Sequence, residues 1–433
     1  MPDAPLRERG IQCNMTPPRL SSALSLESEP GRAADAACGK AVDALGDDCD
    51  VAFVFFTHHH RDAGETIARI ARDRLGAGCL VAMSVEGVAA HALEVERAPG
   101  IAVLAARLPG TRVKSALVQQ LDPHSADGLG AMTGLDDAEF RGGFLFADPF
   151  SVPLVNLLPG LDRAREGRGV VIGGMASGAE KPGQNLIVVN DHAMTGGGVF
   201  VTLAGACGID VLVSQGCRGF GPTFVVTGAK RNVIMTLGGR RALDAARETI
   251  GELPEEEREL LRGGLFLGLV ADEHKERFGR DDYLVRNVLG GDETTGSIAI
   301  ADAARVGQTV RFHMRDATTA HEDLAMLLDA RKLHEPPAGA LLVTCNGRGT
   351  RLFRRANHDA GAIQRAFAEQ EDAASRAKPG ETIDPAKRPP IPLAGFSAAG
   401  EIGPIAGRTS LHGHTACVAF FREHRPPVMI PSA

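Results

Sequence analysis

Solid apolar runs that end on polar turns punctuate the chain, and they predict its strands. Residues 51–57 (VAFVFFT) are apolar almost throughout and too few for a buried helix, so they read as a strand covered on both faces. The run ends in His58, His59, His60 and Arg61, and residues 62–75 then place Ile67, Ile70 and Leu75 near helical spacing. Residues 79–84 form a second run, leading into Val85-Glu86-Gly87, and 101–108 a third. This β-α-β-β order returns twice. Its second copy has a strand at 144–147, a helix at 152–165 with Pro153 in its first turn and a break at Pro159-Gly160, a strand at 170–173 before Ala176-Ser177-Gly178, and a strand at 199–203. Its third copy opens with 341–344 (LLVT), which runs into Cys345-Asn346-Gly347-Arg348-Gly349. A helix at 358–368, a strand at 393–396 before Ser397-Ala398-Ala399-Gly400-Glu401, and a strand at 415–421 follow. The third copy is lengthened by the polar, Pro-rich residues 369–392, which read as a surface insertion.

Between the second and third copies the pattern changes. A strand at 209–214 leads into the turn-rich passage 215–222, taken as the boundary between halves. Short alternating runs at 224–227, 232–237, 265–271, 283–288, 297–300 and 309–314 predict antiparallel strands, with helices at 242–250 and 320–328. A further Ala-rich helix is expected within 25–45. The fold class expected is α+β, or mixed α/β: repeated β-α-β-β units in mixed sheets, helices on the outer faces and, at 433 residues, two domains.

Composition narrows the function. The net charge of -7 and pI near 6.1, with no Trp and one Tyr, lack the basic footprint and stacking platforms of a nucleic-acid binder. The eight cysteines show no CxxC pair, which suits a reducing, cytoplasmic setting. No apolar leader and no window of about 18 apolar residues occurs, so neither secretion nor a membrane span is expected. Dinucleotide, P-loop and GxSxG signatures are missing, and His58-His59-His60 has no partner motif, so no cofactor and no metal are expected.

The chemistry gathers at the end of the 341–344 strand. Arg348, between Gly347 and Gly349, suits an anion clamp, because a guanidinium pairs bidentately with a carboxylate. Glu401, after Gly400, could receive an ammonium group, or could pair with Arg348 structurally. His412 and His414 face one side if a strand has begun there. For Ser84, Ser177 and Ser397, backbone capping is favoured over ligand contact. Cys345 admits a rival reading as an enzyme nucleophile, with His358, His412 or His414 as base. A third reading is an interaction scaffold.

The strings LLVTCNGRGTRLF, NHDAGAI and PLAGFSAAGEIGPIAGRTSLHGHTACVAFF resemble the C-terminal half of the FIST family, small-ligand sensory domains of prokaryotes that also occur in eukaryotic F-box proteins. SSALSLESEP, FVFFTHHHRDAGE, CLVAMSVEGV and LAARLPG resemble its N-terminal half, and SQGCRGFGPTFVVTGAKRN its junction. Residues 1–20, with Pro, Arg and Glu and no periodicity, read as a disordered lead-in, and the resemblance implies a FIST N-terminal domain at 21–216 and a C-terminal domain at 217–424, with a tail at 425–433. It further implies a stand-alone cytoplasmic sensor of an amino acid or related metabolite that signals through a separate partner protein. The candidate ligand-binding set is Cys345, Asn346, Arg348, Gly349, Ser397, Gly400, Glu401, His412 and His414, with no catalytic residue assigned unless Cys345, His412 and His414 serve the enzyme reading.

Overall fold

The structure is a computed structural model that describes residues 16–46, 48–375 and 391–424. Most of the expected lead-in, the tail and residues 376–390 of the expected insertion fall outside it.

Three copies of one unit account for most of the chain. The first comprises β1 (Arg19–Ser25), α1 (Pro30–Leu45), β2 (Val51–Thr57), α2 (Gly64–Leu75), β3 (Cys79–Val85), a hairpin of β4 (Val88–Ala90) and β5 (Leu93–Val95), and β6 (Ile101–Arg107). The second repeats it as β7 (Thr111–Leu117), α3 (Ala126–Thr133), β8 (Phe140–Ala147), α4 (Leu154–Arg165), β9 (Val170–Met175), the hairpin β10 (Ile187–Val189) and β11 (His192–Met194), and β12 (Gly198–Gly205). The third begins at β13 (Cys207–Ser214) and is interrupted by an inserted sheet before it resumes. The insert holds β14 (Cys217–Lys230), β15 (Val233–Leu237), β16 (Arg240–Arg241), α5 (Ala242–Gly251), α6 (Glu255–Leu260), β17 (Phe266–Val270), β18 (Tyr283–Asp292), β19 (Ser297–Ile300) and β20 (Thr309–Arg315). The unit resumes with α7 (Ala317–Arg331), β21 (Gly339–Cys345), α8 (His358–Ser375), β22 (Leu393–Ala398), the hairpin β23 (Glu401–Ile405) and β24 (Arg408–His412), and β25 (Ala416–Glu423). The repeat is therefore longer than the expected β-α-β-β, because an entry strand and helix precede it and a hairpin interrupts it.

Each hairpin leaves its own unit and edges the sheet of another. The sheets run β1-β6-β2-β3-β10-β11, β7-β12-β8-β9-β23-β24 and β13-β25-β21-β22-β4-β5, so the exchange closes as a ring. The middle pairs β2–β3, β8–β9 and β21–β22 are parallel and the flanking pairs antiparallel, which makes the sheets mixed and the fold α+β. Gly173 of β9 lies opposite Leu145 and Gly395 of β22 opposite Leu342, and a Cβ at either glycine would run into the facing carbonyl oxygen.

The period-2 alternation within these strands sorts side chains onto two faces. Inner faces of all three sheets meet in one interior built from Phe53, Phe55, Phe144, Phe146, Val343 and Phe396. The outer faces bury beneath helix pairs: α1 and α2 cover Val54 and Phe56, α3 and α4 cover Leu145 and Phe200, and α7 and α8 cover Leu342 and Phe420. Strand runs that read as apolar throughout do so because both faces are covered. No helix among the described residues is long and apolar enough to cross a membrane.

Two local expectations are corrected. Residues 217–222 are not a turn but the start of the 14-residue β14, whose pairing with β20 shifts register between Phe220 and Thr223, so a bulge absorbs Gly221-Pro222. Pro159 does not break α4, which runs unbroken around it from Leu154 to Arg165. The helix also buries Leu157, Leu158 and Leu161, and that packing outweighs the lost hydrogen bond.

The inserted sheet is tied back to the third unit at the start of α7. Asp316 caps that helix by accepting from the Thr318 and Thr319 backbone N–H groups, and it also accepts from Arg218 Nε of β14 at 3.0 Å. Asp316→Ala is expected to cost about 1–2 kcal/mol in chemical denaturation. Asp316→Asn, which keeps the cap, should recover most of that loss.

Candidate functional site

The turn after β21 is built from its backbone outward. Cys345 donates its N–H to Thr415 O and Asn346 to Ala398 O, each at 2.9 Å, which pins the turn to β25 and β22. Gly347 N–H donates to Cys345 Sγ at 3.3 Å, and Gly349 adopts the left-handed conformation at φ 54° that a side chain would resist. This geometry turns the Arg348 side chain inward.

Arg348 is buried with 1 % of its surface exposed. Its Nε and Nη2 donate to Asp359 Oδ2 and Oδ1, both at 2.8 Å, and its guanidinium lies 5.3 Å from the centre of the Phe353 ring. Asp359 also accepts from Thr344 Oγ1 at 2.8 Å, and His358 Nδ1 lies 2.8 Å from its Oδ1. Burial works against the Asp359 charge, but Arg348 and His358 outweigh it and hold the carboxyl well below its usual range. The structural partner of Arg348 is thus Asp359 rather than Glu401. The signal for it was the aspartate of NHDAGAI, which nothing in the sequence connects to the arginine.

Glu401 is fully buried, and its Oε2 accepts from the Thr415 N–H at 3.1 Å and hydroxyl at 2.8 Å. Burial lifts its carboxyl to about 8. At neutral pH it carries a proton, which suits it to donate a hydrogen bond rather than receive an ammonium group. Its Oε1, Arg348 Nη1 and His414 Nδ1 are buried without a hydrogen-bond partner. They belong to one neighbourhood: Glu401 feels both Arg348 and the Cys345 thiol, and a Cβ on Gly347 would lie 3.5 Å from both Cys345 Sγ and His414 Nδ1.

The remaining candidates divide. Cys345, Asn346, Arg348, Gly349 and Ser397 line a cavity of about 20 Å³, room for about one water, whereas Gly400, Glu401, His412 and His414 do not line it. Gly400 accepts Met175 N–H at 2.9 Å. His412 ends β24 with its imidazole 3.1 Å from Gly403 O, and His414 sits outside any strand at φ 66° with Nε2 3.1 Å from Asn287 Oδ1 of the inserted sheet. The two histidines therefore do not act as a same-side strand pair. Burial lowers both to about 4.

Ser84 and Ser177 are spent on backbone, Ser84 accepting Leu186 N–H and Ser177 accepting Glu86 N–H while donating to Ser397 O. The Cys345 sulfur meets Gly347 N–H and, at 3.9 Å, Asn346 Oδ1, and burial pushes its thiol far up, the reverse of an activated nucleophile. The seven described cysteines are all free and buried.

The other wall of the cavity, which carried no sequence signal as a site, comes from the β4–β5 hairpin of the first unit: Glu86, Glu94, Glu96 and Arg97. A larger cavity, about 550 Å³, lies at the far end of the same sheet among Asp210, Glu335 and Arg422. None of the candidate residues reaches it.

Comparison with known proteins places these features in a wider set. The sequence profile of the FIST N domain matches residues 50–240 and that of the FIST C domain residues 242–404. The two spans meet inside the inserted sheet. An uncharacterized protein of Mycobacterium tuberculosis (strain H37Rv) is 36% identical over 410 residues, covering 93% of this chain and 99% of that protein. An uncharacterized protein of Mycobacterium bovis is likewise 36% identical over 410 residues, covering 93% and 98%. Among solved structures, a cyanuric acid hydrolase from A. caulinodans aligns over 46% of this chain and 72% of its own at 11% identity and a TM-score of 0.26, too low to carry an argument.

Proposed function

The chain belongs to the FIST family, whose domains are small-ligand sensory modules of signal transduction, and from that premise we propose that it senses a small carboxylate-bearing metabolite, an amino acid foremost. The ligand carboxylate is taken at the end of β21 by Arg348 Nη1 and by the protonated Glu401, with Cys345, Asn346, Gly349 and Ser397 as the surrounding wall and His414 behind. The protein works in the cytoplasm and passes the signal to a separate partner protein.

The observation that supports this reading is the unfinished hydrogen bonding of the turn. Buried polar atoms are normally paired, because an unpaired one costs about 1–3 kcal/mol. Arg348 Nη1 and the free Glu401 oxygen are two such atoms on neighbouring strand ends, and both are suited to donate to an anion. Asp359 holds the other two guanidinium nitrogens and so fixes the direction of the third.

The test is a thermal-shift series with the wild-type chain against free amino acids, the same amino acids with the carboxylate amidated, and the same with the amine acetylated. At least one free amino acid is expected to raise Tm, by about 2.7 kcal/mol of added stability at a hundredfold excess over Kd, and its amide to raise it far less. Silence across the free acids ends the reading. Equal shifts from acid and amide would remove Arg348 and Glu401 as the carboxylate pole.

A further inference from the structure

The cleft beside Arg348 has a wall that the sensing site was not expected to include. Residues 86–97 belong to the first unit, yet the ring-like exchange of hairpins lays them against the turn of the third. Three carboxylates of this stretch each hold the segment between Asn346 and Ala360. Glu86 Oε1 lies 2.6 Å from Arg351 Nη2. Glu96 accepts from the Thr350 N–H at 2.8 Å and hydroxyl at 2.5 Å, and its carboxylate packs so closely on Gly349 that a Cβ there would collide with it. Glu94 accepts the Ala360 N–H at 2.8 Å, while its own N–H donates to Asn357 Oδ1 at 2.7 Å.

These contacts are of two kinds. Glu94 is deeply covered beside Asp359, and β4 is paired to β22 through Val88, Ala89 and Ala90, so this part of the hairpin is anchored. Glu86 meets the Arg351 side chain, and Glu96 the Thr350 N–H and hydroxyl, on the exposed rim, where Arg351 is 46% exposed. Rim contacts of this sort are individually weak, whereas anchored backbone pairing persists. Beneath them the cleft has closed to a single water's room. An acidic strap thus faces a basic turn, and each satisfies the other.

We propose that residues 86–97 are a strap closing the ligand site, with Glu86 and Glu96 paired to Arg351 and Thr350 while the site is empty and turning onto the cationic group of the ligand when it enters. The inference rests on the carboxylate reading above and supplies its missing pole: a protonated Glu401 leaves a ligand ammonium without a counter-charge, and the strap carries two. The ligand class that fits is a zwitterion, its carboxylate on Arg348 and Glu401 and its ammonium on the two strap carboxylates. It also makes the first unit a reader of occupancy in the third, since the strap continues directly into β6 through Gly100, whose N–H donates to Thr57 Oγ1 at the end of β2.

Two measurements test it. The first needs no ligand: native full-length chain is treated with N-ethylmaleimide and modification of the Cys345 peptide is followed by mass spectrometry, in the wild type and in Glu86→Ala/Glu96→Ala. Cys345 is expected to react about tenfold faster in the double variant, while Cys38, in the separate core under α1 and α2, keeps its protection and circular dichroism is unchanged. An unaltered Cys345 rate overturns the strap. The second compares free with N-acetylated amino acids: the wild type should respond only to the free amine, and the double variant should lose that preference. A response indifferent to acetylation overturns the cation pole while leaving the carboxylate site standing. If all amino acids are silent but Cys345 is still exposed by the double variant, the closing role survives and the zwitterion assignment falls.

Discussion

Arg348→Ala is expected to destabilise the chain by about 3–5 kcal/mol, more than loss of an exposed arginine could. Both side chains of the Arg348–Asp359 pair are 0% exposed, so truncating the arginine strands a carboxylate in the interior with only Thr344 and His358 to satisfy it. Asp359→Ala is expected to cost a similar amount by stranding the guanidinium. The pair's own worth is a separate quantity, because both charges gave up hydration to enter the core. Arg348→Ala/Asp359→Ala should therefore cost clearly less than the two single changes added together, by about 2 kcal/mol or more of coupling. Urea unfolding of the four proteins at one pH checks this. A loss under about 1 kcal/mol for Arg348→Ala would mean that water reaches the pair. One practical consequence is that Arg348→Ala is a poor probe of ligand binding, since an unfolded turn and an absent clamp look alike; ligand chemistry is the cleaner variable.

The parts of this architecture that were legible in the sequence are those where burial is two-sided. β2, β3 and β21 are buried at every position, and their apolar runs announced them. β7 (TRVKSAL) edges its sheet and is buried at no position, so its pattern gave no strand signal. The three hairpins escaped for another reason. β4, β5, β10 and β11 have three residues each and β23 and β24 five, too few for a period to show clearly, and each hairpin joins the sheet of another unit. The site divides along the same line. The turn from Cys345 to Gly349 was visible because glycines and a strand end mark it locally. Asp359 was not, because the chain must turn back over the 11 positions that separate it from Arg348, and the strap was not, because its meaning lies in contacts such as Glu94 with Ala360, separated by 266 positions and created only by the exchange of hairpins. His412 and His414 looked like a pair by spacing alone; the chain direction changes between them, and spacing carries no information about that.

Stability should peak near pH 6.5 and fall on both sides, for opposite reasons that the buried groups supply. On the acid side burial lowers His313, His412 and His414 from 6.5 to about 4. Between those values the unfolded chain binds protons that the folded one refuses, so stability is lost as pH falls, at about 1.4 kcal/mol per pH unit per group. On the alkaline side burial raises Glu401 from 4.5 to about 8, and burial followed by the charge of Asp359 raises Glu94 from 4.5 to about 7. Here the folded chain keeps protons that the unfolded one has released, so stability falls as pH rises. From pH 4.5 to 6.5 three histidines outweigh two carboxyls and the net slope is upward. Above 6.5 only the carboxyls act, and by pH 8 they should remove about 2–3 kcal/mol. Glu401→Gln keeps the shape of the protonated acid without its ionisation, so it should flatten most of the alkaline limb and steepen the acid one, where only Glu94 is then left to oppose the three histidines. Unfolding free energies of both proteins from pH 5 to 8 decide the point, and an alkaline limb unchanged by Glu401→Gln would show that this carboxyl does not hold its proton. The same proton links stability to sensing: once Glu401 ionises it repels a carboxylate instead of donating to one, so amino-acid binding by the wild type should weaken as the pH is taken through about 8. The Gln variant, which still donates, should bind with little change across that range.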